Sequence, residues 1–300
     1  MNTYEVGSVA ACLAPYDWAK AESLLNLLKE NNEYNRFLSA AVSRLAATNM
    51  TKTKQLFGQF KPDNTFYRHE ARLRAAFAIA REKPEEAIEL VTGVPEKQYR
   101  CLGYLRLATI FSATDKPRAI KMIDSVYDLL DREPGAFRGW LNFGGRAGLA
   151  AVAAVRAKEI GYPDLADLVG RTLAMRPSGM EDHWSPGERE RNNIRIAAAL
   201  ALVDPASARQ VLATVAPPDE FVQRALSQSR DWLFALALAD PERALPLTDK
   251  LMAKAKTQRG GQNALSQTGL VELCTILTSD NALKELCMYA NLPREIRDED

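Results

Sequence analysis

Histidine is almost missing from this 300-residue chain: His69 and His183 are the two that occur. His69-Glu70 opens like a zinc-protease helix, but position 73 is leucine, so HExxH fails. GxSxG is absent too, which leaves a Ser-His-Asp relay without its parts. Neither GxxxxGK[ST] nor GxGxxG is present, which removes the usual glycine cradles for phosphate. Glu181-Asp182-His183-Trp184 sets carboxylates beside a histidine, yet neighbouring residues in a loop rarely converge on one ion. The sequence therefore predicts no catalytic residue, no cofactor and no metal.

Excess charge is missing as well. Lys and Arg total 39 against 38 Asp and Glu, a formal net charge of +1. Phosphate neutralisation dominates nucleic-acid affinity, so a globally basic nucleic-acid reader is excluded, while a local basic face is not. The four cysteines, Cys12, Cys101, Cys274 and Cys287, include no CxxC pair and predict reduced, buried side chains rather than a disulfide framework. No positive n-region precedes an apolar run between Met1 and Ala14, so no signal peptide is read there. Apolar stretches such as Leu149 to Val155, which stops at Arg156, and the eight-residue Ile196–Val203 and Trp232–Ala239 are too short to span a membrane. The expectation is a cytoplasmic protein with no membrane insertion.

What the chain has is a recurrent break. Helical runs rich in Ala and Leu stop at Lys83-Pro84, Asp115-Lys116-Pro117, Tyr162-Pro163, Asp204-Pro205 and Asp240-Pro241. Proline disfavours helix in the residue before it but suits the first turn of a new helix, and Asp before it can cap that helix. Each break reads as a stop and a start, a tight helix–turn–helix. Ala87, Ala119, Ala166, Ala208 and Ala244 follow inside the second helices, at intervals of 32, 47, 42 and 36 residues. Apolar Leu90, Met122, Val169, Val211 and Leu247 come three residues later, on the same helix face. Periods of about 30–47 residues belong to helical-repeat arrays. Tyr67–Val91 and Tyr99–Ile123 match best, with Tyr67/Tyr99, Arg68/Arg100, Arg74/Arg106 and Ala87/Ala119 among the identities.

These units resemble tetratricopeptide-type and related helical-repeat proteins over nearly the whole chain. Tyr99-x-x-Leu102-Gly103 is similar to the opening of that motif, although Asp115 falls where the family has a small residue. The resemblance implies binding of partners, often peptides, along a groove. The expected fold is all-α: one α-solenoid of about eight antiparallel helix pairs over 1–300. First helices are expected near 3–13, 34–48, 64–81, 97–113, 137–160, 186–203, 219–239 and 262–278. Their partners are expected near 16–30, 51–59, 84–92, 117–131, 163–175, 205–214, 241–256 and 280–289. The first helix begins without a polar cap in this reading, so Met1 opens either a fragment or a packing edge. A longer loop at 176–184, ending in a capping-box pattern from Ser185 to Glu188, suggests a hinge near 176–186 between halves 1–175 and 186–300.

The candidate partner-binding residues follow the repeat. Arg74, Arg106 and Arg195 recur at one position, with Arg230 equivalent after a one-residue gap, and Tyr67 and Tyr99 lie seven residues before the first two. Stacked guanidinium groups interleaved with tyrosine suit carboxylates of an acidic peptide. The plainer alternative is that each arginine pairs with an acid of a neighbouring repeat and fixes stacking. Gly139, Gly144, Gly145 and Gly148 read as close packing or a kink in a long helix. Lys250, Lys254, Lys256 and Arg259 read as the basic end of a helix before Gly260-Gly261. The function expected is a non-catalytic protein–protein interaction scaffold. The alternatives are a nucleic-acid groove using the arginines, a coat-like arm of a larger assembly with self-association, and an all-α enzyme of unrecognised type.

Overall fold

The structure, a computed structural model, describes residues 2–30, 33–61, 65–137, 145–175, 186–215 and 226–247. Every regular element among them is helical. The first helices are α1 (Thr3–Leu13), α3 (Tyr34–Leu45), α5 (Thr65–Ile79), α7 (Lys97–Ser112), α9 (Gly145–Glu159), α11 (Pro186–Ala201) and α13 (Leu226–Ala239). Their partners are α2 (Trp18–Leu27), α4 (Met50–Leu56), α6 (Pro84–Thr92), α8 (Lys116–Arg132), α10 (Leu165–Ala174) and α12 (Pro205–Ala213), and 241–247 are helical after α13. The expected pair at 262–278 and 280–289 lies outside the described residues. So do the 176–184 loop with its hinge and the basic run from Lys250 to Arg259.

One turn is used again and again. Asp17, Asn49, Lys83, Asp115, Asp204 and Asp240 each donate their N–H to a carbonyl four residues back, at Leu13, Leu45, Ile79, Phe111, Leu200 and Leu236, over 2.6–2.8 Å. Their own carbonyls accept from Ala21, Thr53, Ala87, Ala119, Ala208 and Ala244 at 3.0–3.1 Å, opening the second helix. The side chains of Asp17, Asn49, Asp115, Asp204 and Asp240 also accept from backbone N–H groups of that helix's first turn. A single residue thus satisfies groups that both helix ends would otherwise leave bare.

The residue four after each cap faces the dry seam of the pair. Ala21, Thr53, Ala87, Ala119, Ala208 and Ala244 are at most 3% exposed. In α10 the alanine expected there, Ala166, is instead exposed. Pro163 precedes the cap, Asp164, rather than following it, so the register moves by two and Leu168 becomes the buried residue. The α9–α10 turn differs for the same reason. Gly161 takes φ 67°, and Gly161 and Tyr162 donate to Lys158 and Ala157, a Schellman ending.

The chain divides into two compact units, Met1–Ser125 and Val126–Asp300, the division falling within α8. In the first, α1 packs on α3, α3 on α5 and α5 on α7, while α2, α4 and α6 pack on their own first helices. In the second, α9 packs on α11 and α11 on α13, with α10 on α9 and α12 on α11. The Ile194–Val203 stretch, apolar but for half-buried Arg195, is accordingly walled in by α9, α12 and α13. Close approach needs small residues. Gly7 lies against the Phe37 ring, and a Cβ on Gly103 would stand 2.7 Å from both Leu73 Cδ2 and Val91 Cγ1.

Three other expectations change. Asn2 does cap α1, accepting from Glu5 N at 2.9 Å while Glu5 Oε2 accepts from Asn2 N at 2.8 Å, a reciprocal capping box where no polar cap is expected. The helix expected over 137–160 begins at Gly145, whose φ of 62° is left-handed, and Pro134–Phe137 form a 3-10 turn ahead of it. Gly148 is buried within α9, while Gly139 and Gly144 lie outside the described residues. Cys12 is exposed, 3.0 Å from Arg44 Nη1, whereas Cys101 is buried and burial pushes its thiol up to about 12.

Two glycine substitutions separate packing from backbone entropy. Gly103→Ala should lower stability by about 1–3 kcal/mol through overpacking. Gly170→Ala, on the open face of α10 with nothing within 4 Å of its Cβ, should raise it by about 0.5–1 kcal/mol. Urea midpoints measure both. Removing a cap, Asp204→Ala, should cost about 1 kcal/mol at neutral pH. The Ser207 hydroxyl and the Ala206 N–H hold the Asp204 carboxyl below its ordinary value. Its contribution is therefore present above the ordinary carboxylate range and fades as pH falls, so the gap between variant and wild type should close in acid.

Candidate functional site

Measured from the caps, the recurrent arginines are true equivalents. Arg74, Arg106 and Arg195 each stand nine residues before Lys83, Asp115 and Asp204. Arg230 stands ten before Asp240, on α13, with its side chain outside the described residues. Tyr67 and Tyr99 share a position seven residues earlier. All five described side chains are half-buried.

None of the described arginines is idle. Arg74 Nη2 lies 2.8 Å from Glu70 Oε1, one turn back on α5, and Glu70 also accepts from Ser39 Oγ of α3 at 3.1 Å. The acid that neutralises Arg74 therefore belongs to its own helix, and through it the pair reaches the neighbouring one. Arg106 and Arg195 have partners as well. A ligand carboxylate at Arg74 would compete with Glu70 rather than meet a bare charge.

The tyrosines do come together, through a residue that sequence reading passed over. Phe66 meets Tyr67 edge-on at 5.3 Å between centroids and Tyr99 at 6.0 Å. Tyr99 then stacks on His69, 5.7 Å away and 25° from parallel. His69 is 3% exposed, with Nε2 2.5 Å from Glu96 Oε2. The two buried atoms are thus in close polar contact. Burial pushes the His69 pKa down, aided by Arg72 and Arg68 and opposed by Glu96.

The same side of the first unit carries a second aromatic–cation contact. Arg36 of α3 lies over the Tyr4 ring at 5.2 Å and donates to its hydroxyl at 3.0 Å, while Tyr4 meets Phe37 edge-on at 5.5 Å. Glu33 raises the Arg36 pKa most, with Tyr4 and Tyr67 adding to it, so Tyr67 lies within the field of Arg36. Tyr4 remains 55% exposed, available to another surface. Tyr4 and Arg36 both stand thirteen residues before their caps, Asp17 and Asn49, but no residue type recurs there, so their pairing shows only in space. Arg72 and Arg100 serve structure. Arg72 donates to Gly93 O, and Arg100 donates twice to Val94 O at 3.0 and 2.7 Å, securing the α6–α7 turn.

The second unit has its own polar knot. Tyr127, fully buried, donates to Ala150 O at 2.9 Å and shares a 2.9 Å hydrogen bond with Thr172, and burial drives its phenol pKa well up. Arg171 covers the Tyr127 ring at 4.8 Å and reaches Asp131 at 2.5 Å, where Arg146 arrives at 2.9 Å. One carboxylate on α8 thus ties down α9 and α10. Among the described residues, no three His, Cys, Asp or Glu side chains group as metal ligands would, and no helix is long and apolar enough to cross a membrane. The Glu181–Trp184 segment lies outside them. No family model, no curated protein and no solved structure matches this chain.

The two clusters predict unequal mutational costs. Tyr127→Phe strips a buried hydroxyl from its partners and should cost about 1–3 kcal/mol. Arg74→Ala, an intrahelical surface pair, should change stability by less than about 0.5 kcal/mol. Equilibrium denaturation of both variants reads the difference.

Proposed function

We propose that the chain is an α-solenoid of the tetratricopeptide-like type, with about eight helix pairs, serving as a non-catalytic protein–protein interaction scaffold in the cytoplasm. The observation that carries this reading is the turn repeated at six of the seven described breaks, together with first helices packed one on the next inside each unit. Such an arrangement generates an extended surface without a catalytic cleft. The partner is a protein or peptide, and its binding face includes Tyr67, Arg74, Tyr99, Arg106, Arg195 and Arg230. In the first unit, exposed Tyr4 and the half-engaged Arg36 extend that chemistry. Tyrosine and arginine are the residue types most enriched at binding hot spots. The engagement of Arg74 by Glu70 favours a ligand that brings its own carboxylate and displaces an existing ion pair.

Affinity capture from the source cell lysate tests the reading, with wild type beside an Arg74→Glu/Arg106→Glu/Arg195→Glu variant whose helicity is verified by circular dichroism. The expected result is one partner held by the wild type and weakened at least about 30-fold in the variant, the scale of a lost hot spot. The same partner held equally by both would remove these arginines from the binding face. If the captured ligand is a nucleic acid, with affinity falling steeply between low and moderate salt, the protein-scaffold reading fails.

A further inference from the structure

The strongest unassigned feature is the histidine sealed between α5 and α7. His69 sits on α5, its ring stacked on Tyr99 of α7 and its Nε2 against Glu96, the residue that precedes α7. Glu96 makes no side-chain cap to α7, although it occupies the cap position; its carboxylate lies against the imidazole instead. Nδ1 of His69 is buried with no hydrogen-bond partner. The ring therefore has the Glu96 carboxylate beside Nε2 and no hydrogen-bond partner at Nδ1.

We propose that His69 is an acid-operated latch on the α5–α7 seam: neutral, it stays packed between Glu96 and Tyr99, and on taking up a proton it loosens α7 from α5. A protonated ring has two N–H donors, and the seam offers the Nδ1 donor no acceptor. The charges around it do not repair this. On α5, Arg68 and Arg72 repel an imidazolium, and Arg74 and Glu70 neutralise each other. On α7, Lys97 and Arg100 are cationic, and Arg100 is committed to Val94 O. On α6, Glu86 and Glu89 face Lys54, and Glu85 faces Arg118. On α3, Arg36 and Glu33 form their own pair. Among these groups Glu96 attracts the proton, with the oxygen beside the ring buried and the side chain as a whole 39% exposed. Burial wins, and the His69 pKa is depressed.

The sign follows. A histidine whose folded pKa lies below its unfolded value stabilises the fold fully above about pH 6.5 and loses that contribution as pH falls toward the folded value. The latch does not depend on the identity of any partner, so its failure would leave the scaffold reading standing.

Hydrogen exchange on the full chain tests it, with protection factors corrected for intrinsic rates at about pH 7.5 and about pH 5.5. Amides of α5 and α7 should lose protection in acid, by up to about tenfold at about pH 5.5, one unit below the ordinary histidine value, while α9 and α11 should not follow. In His69→Gln the acid-dependent loss in α5 and α7 should vanish. A proton NMR titration of the wild type supplies an independent reading, with the His69 ring resonance identified by its absence from His69→Gln. Its midpoint should lie below about 6.5 and move lower still in Glu96→Gln. A midpoint at or above that value, or acid loosening of the α5–α7 seam that persists in His69→Gln, would overturn the proposal.

Discussion

Six of the seven described helix pairs hang on one backbone residue that has to serve two helices. At Asp17, Asn49, Lys83, Asp115, Asp204 and Asp240 the N–H closes the last turn of one helix and the carbonyl opens the first turn of the next. Helix ends leave several groups without partners, and a buried turn cannot leave them to water. The shared residue answers that need in the shortest possible chain. It also fixes the phase of both helices, because the residue four before and the residue four after are set by the same bonds. From that phase follows the seam: a small buried side chain at the later position, and a first helix turned so that its neighbour can approach it.

Close approach then sets the composition. Gly7 against Phe37 and Gly103 against Leu73 and Val91 have no space for even a methyl group. The alanine-rich faces of α9 and α11 are buried on nearly every side, as helices walled by several neighbours must be. Several polar groups inside this packing are tied: Tyr127 to Ala150 and Thr172, Ser39 to Glu70, Asp131 to two arginines. His69 is among the buried polar groups without a hydrogen-bond partner, with Trp18 Nε1, Asn192 Nδ2 and Trp232 Nε1, and it is a titratable one.

Much of the fold was legible because proline and aspartate mark the breaks chemically. Helices at 3–13, 84–92 and 97–112 fall within a residue of expectation. The α10 anchor was misplaced because proline was used as the register mark. The cap is the physical register, and at Pro163 the two part company by two residues. The capping box at Asn2 and Glu5 was present in the sequence as well, where no polar cap is expected. The arginine repeat was legible in position but not in its bonding, since Glu70 recruits Arg74 along the helix rather than across it. The Phe66–Tyr99–His69–Glu96 cluster was illegible for another reason. Its members come from two helices and a turn, and only the packing of α5 against α7 assembles them.

The shared cap also bears on how such a chain can change length over generations. Within pairs the link is short and nearly constant, since an inserted residue would break both helix ends together. Between pairs, the link from α6 to α7 is the four residues 93–96, while the chain after α8 first forms the 3-10 turn Pro134–Phe137. Drift in length is thus channelled to one edge of the hairpins. The opposite edge keeps its hydrogen-bonded count at six of the seven described breaks, so its turns constrain the chain more tightly than the links between pairs do.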